Sequence, residues 1–373
     1  MILERIRLIS ILDTLKIAVG NKVMGVSYYV KFMVDAEGGS VFLASTDFQT
    51  FLIVDYGDVA MNVLSDVPPE FLIKFKELYD LVKASTTQDV AISRKNPDKD
   101  DHIRVTTNGD FDFPTYTKPE QFPSADFDHK VAGSWESDVL KGIWDKVIVA
   151  ASKDVTKRSY QGVNFDGNWA ASDVRRFAIV KSESSYDGDP MLIPPQLGDV
   201  IARCKGDVTI GINGGGNMLI ISSPENGIMG GMRLFDVPFV SYEKLFQDRS
   251  DVIKIILPKS DFLGTLRRLS CFSEQIYRIG TFTINRTDDG AEIRCTLNQE
   301  AGQADETIEA IDFEFQDGVM TGKIAEFQYQ IDNLADGIGA TKSDEDVSLC
   351  FQQDGKLWID EDDFHYLLSR INA

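Results

Sequence analysis

The chain has 373 residues, 43% hydrophobic and 26% charged, and carries 59 Asp and Glu against 38 Lys and Arg for a formal net charge of −21. That length supports two or three domains with cores of their own, and so acidic a balance ordinarily argues against a nucleic-acid binder. No apolar run approaches the roughly 20 residues that span a bilayer, and no basic stretch followed by an apolar one and a cleavage site opens the sequence, so a soluble, cytosolic protein without membrane contact is expected.

In chain order, apolar residues recur at spacings of three and four between Leu3 and Val19 (Ile6, Ile9, Leu12, Leu15) and predict an amphipathic helix. The stretch "SYYVKFMVDAEGGSVFLAST" predicts a hairpin around its polar turn, and "FQTFLIVDYG" continues the sheet. Pro68 and Pro69 suit the first turn of a second helix, Glu70 to Lys83, and further strands follow as far as "FPSADF". Later helices are predicted from Glu136 to Ser152, from Ser260 onward, and from Ile324 to Ile338. "GINGGGNM", at Gly211 to Met218, lies between alternating strands and reads as a hairpin turn rather than a phosphate cradle. "DEDDFH", at Asp360 to His365, reads as a solvated turn before the last strand, although its oxygens suit Mg²⁺ or Ca²⁺.

A repeat organises these elements. "ASTDFQTFLIV" and "AASDVRRFAIV" align on Asp47 and Asp173, 126 residues apart, and Pro68 and Pro194 share that offset. "SDVL" at Ser137 recurs as "SDFL" at Ser260, and Asn298 falls 125 residues after Asp173. The chain therefore reads as three copies of one α+β unit, with helices on one face of antiparallel sheets. The domain boundaries are placed at 1–127, 128–250 and 251–373.

Basic residues gather on most of the predicted helices: Lys74, Lys76 and Lys83, then Lys141, Lys146, Lys153, Lys157 and Arg158, then Arg203 and Lys205, then Arg267, Arg268 and Arg278. Singly these are solvated faces; together they point to an anionic partner on the helical side of an acidic body. Catalytic signals are weak. The three histidines, His102, His129 and His365, have no metal-ligand spacing, and no P-loop, G-x-S-x-G or H-E-x-x-H occurs. The cysteines Cys204, Cys271, Cys295 and Cys350 form no C-x-x-C pair and read as reduced, mostly buried thiols. No enzyme activity, cofactor or metal is expected. The competing readings are a divalent-metal hydrolase acting on nucleic acid and a scaffold that keeps the fold without closing a ring.

Four stretches, "QGVNFDGNWAASDVRRFAIV", "IPPQLGDVIARC", "VSYEKLF" and "LPKSDFLGTLRRLSCFSEQIYR", resemble the bacterial sliding clamp family, the β subunit of DNA polymerase III, in order along essentially the whole chain. The resemblance implies three repeated clamp domains per chain and a head-to-tail homodimer closed into a ring. Helices would line the hole around double-stranded DNA, with Lys74, Lys141, Lys146, Lys157, Arg158, Arg203, Lys205 and Arg267 facing it. A cleft between domains 2 and 3 would receive peptides of DNA polymerase, the clamp loader and other clamp-binding proteins. Carried over by position, it comprises Tyr160, Ser172, Val174, Arg175, Arg176, Phe177, Val240, Lys244, Leu245, Leu367, Leu368, Ser369, Arg370 and Ile371. The dimer contact would pair Phe111 and Phe113 with Leu269 and Phe272. The tail after His365 is expected to fold back onto the second domain, bring Leu368 to Phe177, and be dispensable for ring closure. Two departures stand out. Val174-Arg175 replaces the family's Gly-His, and "SRINA" replaces its Met-Pro-Met-Arg-Leu ending, as suits an outlying or phage-encoded clamp with partners of its own.

Overall fold

The first residues depart from expectation, because Ile2–Glu4 form a strand, β1, and the helix α1 begins only at Arg5 and runs Arg5–Leu15. Leu3 is lost to the helix because it is fully buried opposite Val90 in the sheet. The computed structural model of the chain describes residues 1–59, 67–96, 99–116, 118–182, 186–272, 278–299, 302–315 and 321–371. Two compact units emerge, one built from 1–141 and 196–234, the other from 142–195 and 235–373. They do not coincide with the three thirds of the sequence, since the middle third contributes to both.

In the first unit, the hairpin predicted over 27–46 forms as β2 (Tyr29–Asp35) and β3 (Ser40–Thr46), followed by β4 (Thr50–Asp58). Val30, Phe32 and Val34 alternate inward along β2, as the period of two requires. The predicted helix from Glu70 divides into strand β5 (Glu70–Lys74) and helix α2 (Phe75–Ala84). "FLI" at 71–73 is a continuous buried run that pairs with β2, and the two prolines precede an outer strand, where a missing N–H costs no ladder bond. Then come β6 (Asp89–Asn96), β7 (Lys99–Thr106) and β8 (Asp110–Pro114), which with β1 make a four-stranded sheet ordered β1-β6-β7-β8.

The middle third supplies β9 (His129–Glu136), helix α3 (Ser137–Ile148), β10 (Val163–Phe165), β11 (Trp169–Ser172), β12 (Arg176–Val180) and β13 (Met191–Ile193). It continues with helix α4 (Leu197–Ile201), β14 (Asp207–Asn213), β15 (Met218–Ser223), β16 (Ile228–Arg233) and helix α5 (Glu243–Gln247). The glycine-rich turn at 211–218 joins β14 to β15 as expected, with Asn213 Oδ1 accepting from the N–H groups of Asn217 and Met218 at 3.1 and 3.0 Å. Four of these strands complete an eight-stranded sheet of the first unit, ordered β5-β2-β3-β4-β16-β15-β14-β9.

The last third consists of β17 (Asp251–Pro258), helix α6 (Lys259–Ser270), β18 (Ile279–Arg286), β19 (Ala291–Gln299), β20 (Gly302–Glu309), β21 (Asp312–Phe315) and β22 (Gly322–Gln330). Helix α7 (Ile331–Gly339), β23 (Asp346–Gln352), β24 (Leu357–Glu361) and β25 (Phe364–Leu368) close the chain. The helix expected from Ile324 starts only at Ile331, because Phe327 and Tyr329 alternate inward as strand residues before it. The second unit holds a nine-stranded sheet, β13-β10-β11-β12-β25-β24-β23-β17-β21, and a four-stranded one, β20-β19-β18-β22. The architecture is α+β throughout, with every strand pair in both units antiparallel among the described residues.

The repeated motif builds the same turn twice. Asp47 Oδ1 accepts from the N–H groups of Gln49 and Thr50, and Asp173 Oδ1 from those of Arg175 and Arg176. Thr46 Oγ1 donates to the carbonyl of Thr50 at 2.9 Å, and Ser172 Oγ to that of Arg176 at 2.8 Å. Each turn holds a non-glycine residue in the left-handed region, Phe48 at φ 68° and Val174 at φ 87°, a conformation that a β-branched valine adopts only when neighbouring bonds enforce it. In the third copy the turn after Asn298 lies outside the described residues.

Candidate functional site

The strand pairing of β12 with β25 sets the core of the candidate cleft, with Arg176 opposite Leu368 and Phe177 opposite Leu367. The tail does fold back, but its contact with Phe177 is made by Leu367. Phe177 is 3% exposed and sits in a cluster with Ala170, Ile179, Tyr242, Cys350, Trp358 and Leu367, against which Phe239, Leu245 and Phe246 pack. Its ring lies 5.1 Å from that of Tyr242 and 6.4 Å from that of Phe246. Tyr242 in turn donates to the Asp166 carboxylate at 2.9 Å, which pins the segment before α5 to the β10–β11 hairpin. Burial first, and the Asp166 charge second, push the Tyr242 hydroxyl well above its ordinary range, so it stays a donor.

Several expected cleft residues are therefore interior. Phe177, Leu367, Leu368 and Ser172 are buried, at 3%, 4%, 1% and 6% exposure. Arg176 is also withdrawn, at 8% exposure, with Nε on Asp173 Oδ2 at 2.9 Å and Nη1 on Asp336 Oδ2 at 2.6 Å. A guanidinium buried this far must be neutralised on the spot, and it serves to fix the 172–176 turn to α7. What remains at the surface is Val174, Arg175, Lys244 and Arg370, with Val240, Leu245, Ser369 and Ile371 partly buried. The Ser369 N–H donates to the Arg175 carbonyl at 2.9 Å and the Ile371 N–H to the Gln328 carbonyl at 2.8 Å, so the tail is sewn beside the turn. Tyr160 is held by main-chain bonds to Ser152 and Lys157.

The expected DNA-facing cations separate into two kinds. Lys157 and Arg158, on the turn after α3, are exposed, as are Lys141, Arg203, Lys205 and Arg267; Lys74, the last residue of β5, is partly buried. Lys146 is the exception, because it is 6% exposed with its ammonium 3.4 Å from Glu361 and 5.2 Å from the centre of the Phe364 ring. It is a core ion pair and presents no charge to a phosphate. Arg268, beside Arg267, is bound by Glu306.

Of the expected dimer residues, Phe111 and Phe272 are each 43% exposed, and Phe113 is partly buried on the outer strand β8. Leu269 is fully buried on the inner face of α6 with Phe262 and Leu266 and cannot form a contact between chains. The acidic run 360–365 straddles the end of β24, a turn and the start of β25. Burial works against the Asp360 carboxylate, yet His365 and Arg249 hold it below the usual range, while Glu361 accepts from the N–H groups of Lys342 and Ser343. These carboxylates are occupied by the protein itself, and among the described residues no group of three or more His, Cys, Asp or Glu is placed to hold a metal ion. Cys204, Cys295 and Cys350 are buried free thiols and Cys271 is exposed. No described helix is long and apolar enough to cross a membrane.

Trp358, Tyr366, Asp336 and Tyr242 were not anticipated at the site. For Tyr242 a signal existed, since Tyr116 precedes it by 126 residues and packs against the matching cluster around Phe51 in the first unit.

No family model matches the sequence, and comparison with curated proteins finds no match. Solved structures do match. The DNA polymerase III β subunit of Thermotoga maritima has a TM-score of 0.82 at 15% identity, over 100% of this chain and 99% of that one. The DNA polymerase sliding clamp of Bacillus subtilis gives 0.83 at 14% identity, over 100% and 98%. A sliding clamp of Pseudomonas aeruginosa bound to griselimycin gives 0.82 at 18% identity, over 100% and 99%. Over its whole length the chain has the fold of bacterial DNA polymerase III β-subunit sliding clamps.

Proposed function

We propose that two copies of the chain close head to tail into a ring around duplex DNA and tether a DNA polymerase to it, the three thirds 1–127, 128–250 and 251–373 acting as clamp domains. The observation that carries this reading is a pairing rule in the sheets. β4, β12 and β20 begin at Thr50, Arg176 and Gly302, each 126 residues after the last. β4 pairs with β16, the last strand of the following third, and β12 pairs with β25, the last strand of the third after that. By the same rule β20, an outer strand, takes the last strand of a first third, β8, which is also an outer strand. A second copy supplies it, and the reciprocal contact closes the ring instead of extending a filament. Phe272 supports this placement, for a Cβ at Gly302 would stand 3.0 Å from its ring, at the start of β20.

The mechanism is topological and needs no bond-breaking chemistry. A ring holds its partner on DNA without gripping bases, so its phosphate contacts are few, non-specific and weakened by salt. Lys157 and Arg158, adjacent and exposed, are the leading contacts, with Lys74, Lys141, Arg203, Lys205 and Arg267 as further candidates; Lys146 is removed from the set. For the polymerase or the clamp loader, the exposed cations Arg175, Lys244 and Arg370, together with the partly buried Leu245, favour a peptide with apolar anchors and acidic flanks whose approach the cations steer. Reversing both charges in a Lys157→Glu, Arg158→Glu variant is expected to weaken DNA association at low salt at least tenfold and leave the oligomeric state unchanged. Equal association of the two proteins at low salt would remove this assignment.

A further inference from the structure

Beside α1 in the first unit lies a cavity of about 530 Å³. Arg7 and Ser10 enter it from one face of the helix, Arg203 and Lys205 from the turn after α4, and Asn226 from the turn before β16. The cavity is open to the guanidinium by design of the backbone: a Cβ at Gly57 would stand 2.7 Å from Arg7 Nη2, and Gly57 has a φ of 87° that glycine alone adopts without strain. Arg7 is stacked over the Tyr56 ring at 4.7 Å, which fixes its plane. Asn226 Nδ2 donates to the Arg203 carbonyl at 2.5 Å and holds the opposite wall.

Charge makes this cavity unusual in a chain of net charge −21. Neither Arg7, Arg203 nor Lys205 has a carboxylate oxygen within 4.0 Å among the described residues, whereas Arg104, Arg176, Arg249, Arg268 and Arg294 are all paired. Two carboxylates also line the space. Asp55 Oδ1 is turned to the Gly57 N–H at 2.7 Å, and Glu225 lies toward Gly206. Three cations among the lining residues, against two carboxylates, favour a small dianion in this space electrostatically.

We propose that this cavity is a preformed phosphate site. The proposal deepens the encircling reading and rests on it only for the source of the phosphate, which on that reading is the backbone of the threaded duplex; a free phosphate compound is the other source. In that role the site would make one part of the hole hold the backbone at a set position, in contrast to the diffuse contact of surface lysines.

The test uses the full chain and inorganic pyrophosphate, followed by titration calorimetry at constant ionic strength. Saturable binding at one site per chain is expected, weakened tenfold or more by Arg7→Ala with Arg203→Ala, and unchanged by Lys157→Ala with Arg158→Ala. Arg203→Glu alone is a second variant, since an exposed side chain can be reversed without disturbing the core. Absence of saturable binding, or equal binding by the cavity variants, overturns the site. A second arm measures a short duplex by fluorescence anisotropy across salt concentrations. If the backbone supplies the phosphate, pyrophosphate competes with the duplex and the cavity variant lowers the salt slope by about one per phosphate lost. An unchanged slope with intact pyrophosphate binding assigns the site to a free phosphate compound. A protein that fails to form a ring would defeat the encircling reading and leave the calorimetric result standing.

Discussion

A chain ending at His365 is expected not to fold its second unit. Such a chain loses Tyr366, Leu367 and Leu368, all at most 4% exposed, together with the hydrogen bond from Tyr366 to the Asn333 carbonyl. Deleting one large core side chain costs about 2–5 kcal/mol, so three of them rival the roughly 5–15 kcal/mol that holds a domain together. The strand is also internal, between β12 and β24, so both neighbours lose their ladder bonds. This reverses the sequence expectation that the tail can be cut at His365 with the ring intact. Stopping after Leu368 is a different experiment, because it spares β25 and removes the bonds of Ser369 and Ile371, each worth about 1 kcal/mol. That shorter cut should leave a cooperative melt close to the parent's and weaken binding of a partner peptide by removing Arg370 and Ile371. Thermal melts by circular dichroism decide, and a cooperative melt within a few degrees of the parent for the His365 cut would refute the account of β25.

Phe177→Ala is expected to destabilise the chain by about 3–5 kcal/mol while leaving partner affinity per folded molecule unchanged. The ring is 3% exposed within an apolar cluster, so the substitution opens a cavity and removes no surface a peptide reaches. Its counterpart in the first copy, Phe51, is 7% exposed, consistent with a strand residue that the repeat uses for packing. Melting temperature and peptide affinity measured on this one variant separate the roles, and a large affinity loss with an unchanged melt would return Phe177 to the contact surface.

The repeat made much of this legible. Because the period is the length of a domain, Asp47 and Asp173 located two turns with the same bonds, and strict alternation located the hairpin of β2 and β3. What stayed hidden has physical causes. "EFLIK" is a short apolar run, and in "IAEFQYQ" Ile324 and Phe327 continue the helical spacing of Ile331 and Leu334 although Phe327 and Tyr329 also alternate; both satisfy helix and strand periods, and only their neighbours in the sheet decide. β12 is buried on both faces, so alternation gave no sign that Phe177 points inward. Lys146 read as a surface charge because its Glu361 partner lies 215 residues away, and Arg176 because Asp336, 160 residues away, completes the pairing that Asp173 begins locally. Leu269 and Phe272 are three residues apart, and the end of α6 at Ser270 leaves the first in the core and the second outside.

Closure of two chains into one ring is decided by native mass spectrometry at low micromolar concentration. A single species at twice the 41.6 kDa chain mass is expected, shifting to single chains in a Phe272→Asp variant. A parent protein that runs as single chains, or as a ladder of larger assemblies, would contradict it, as would a Phe272→Asp variant that stays paired.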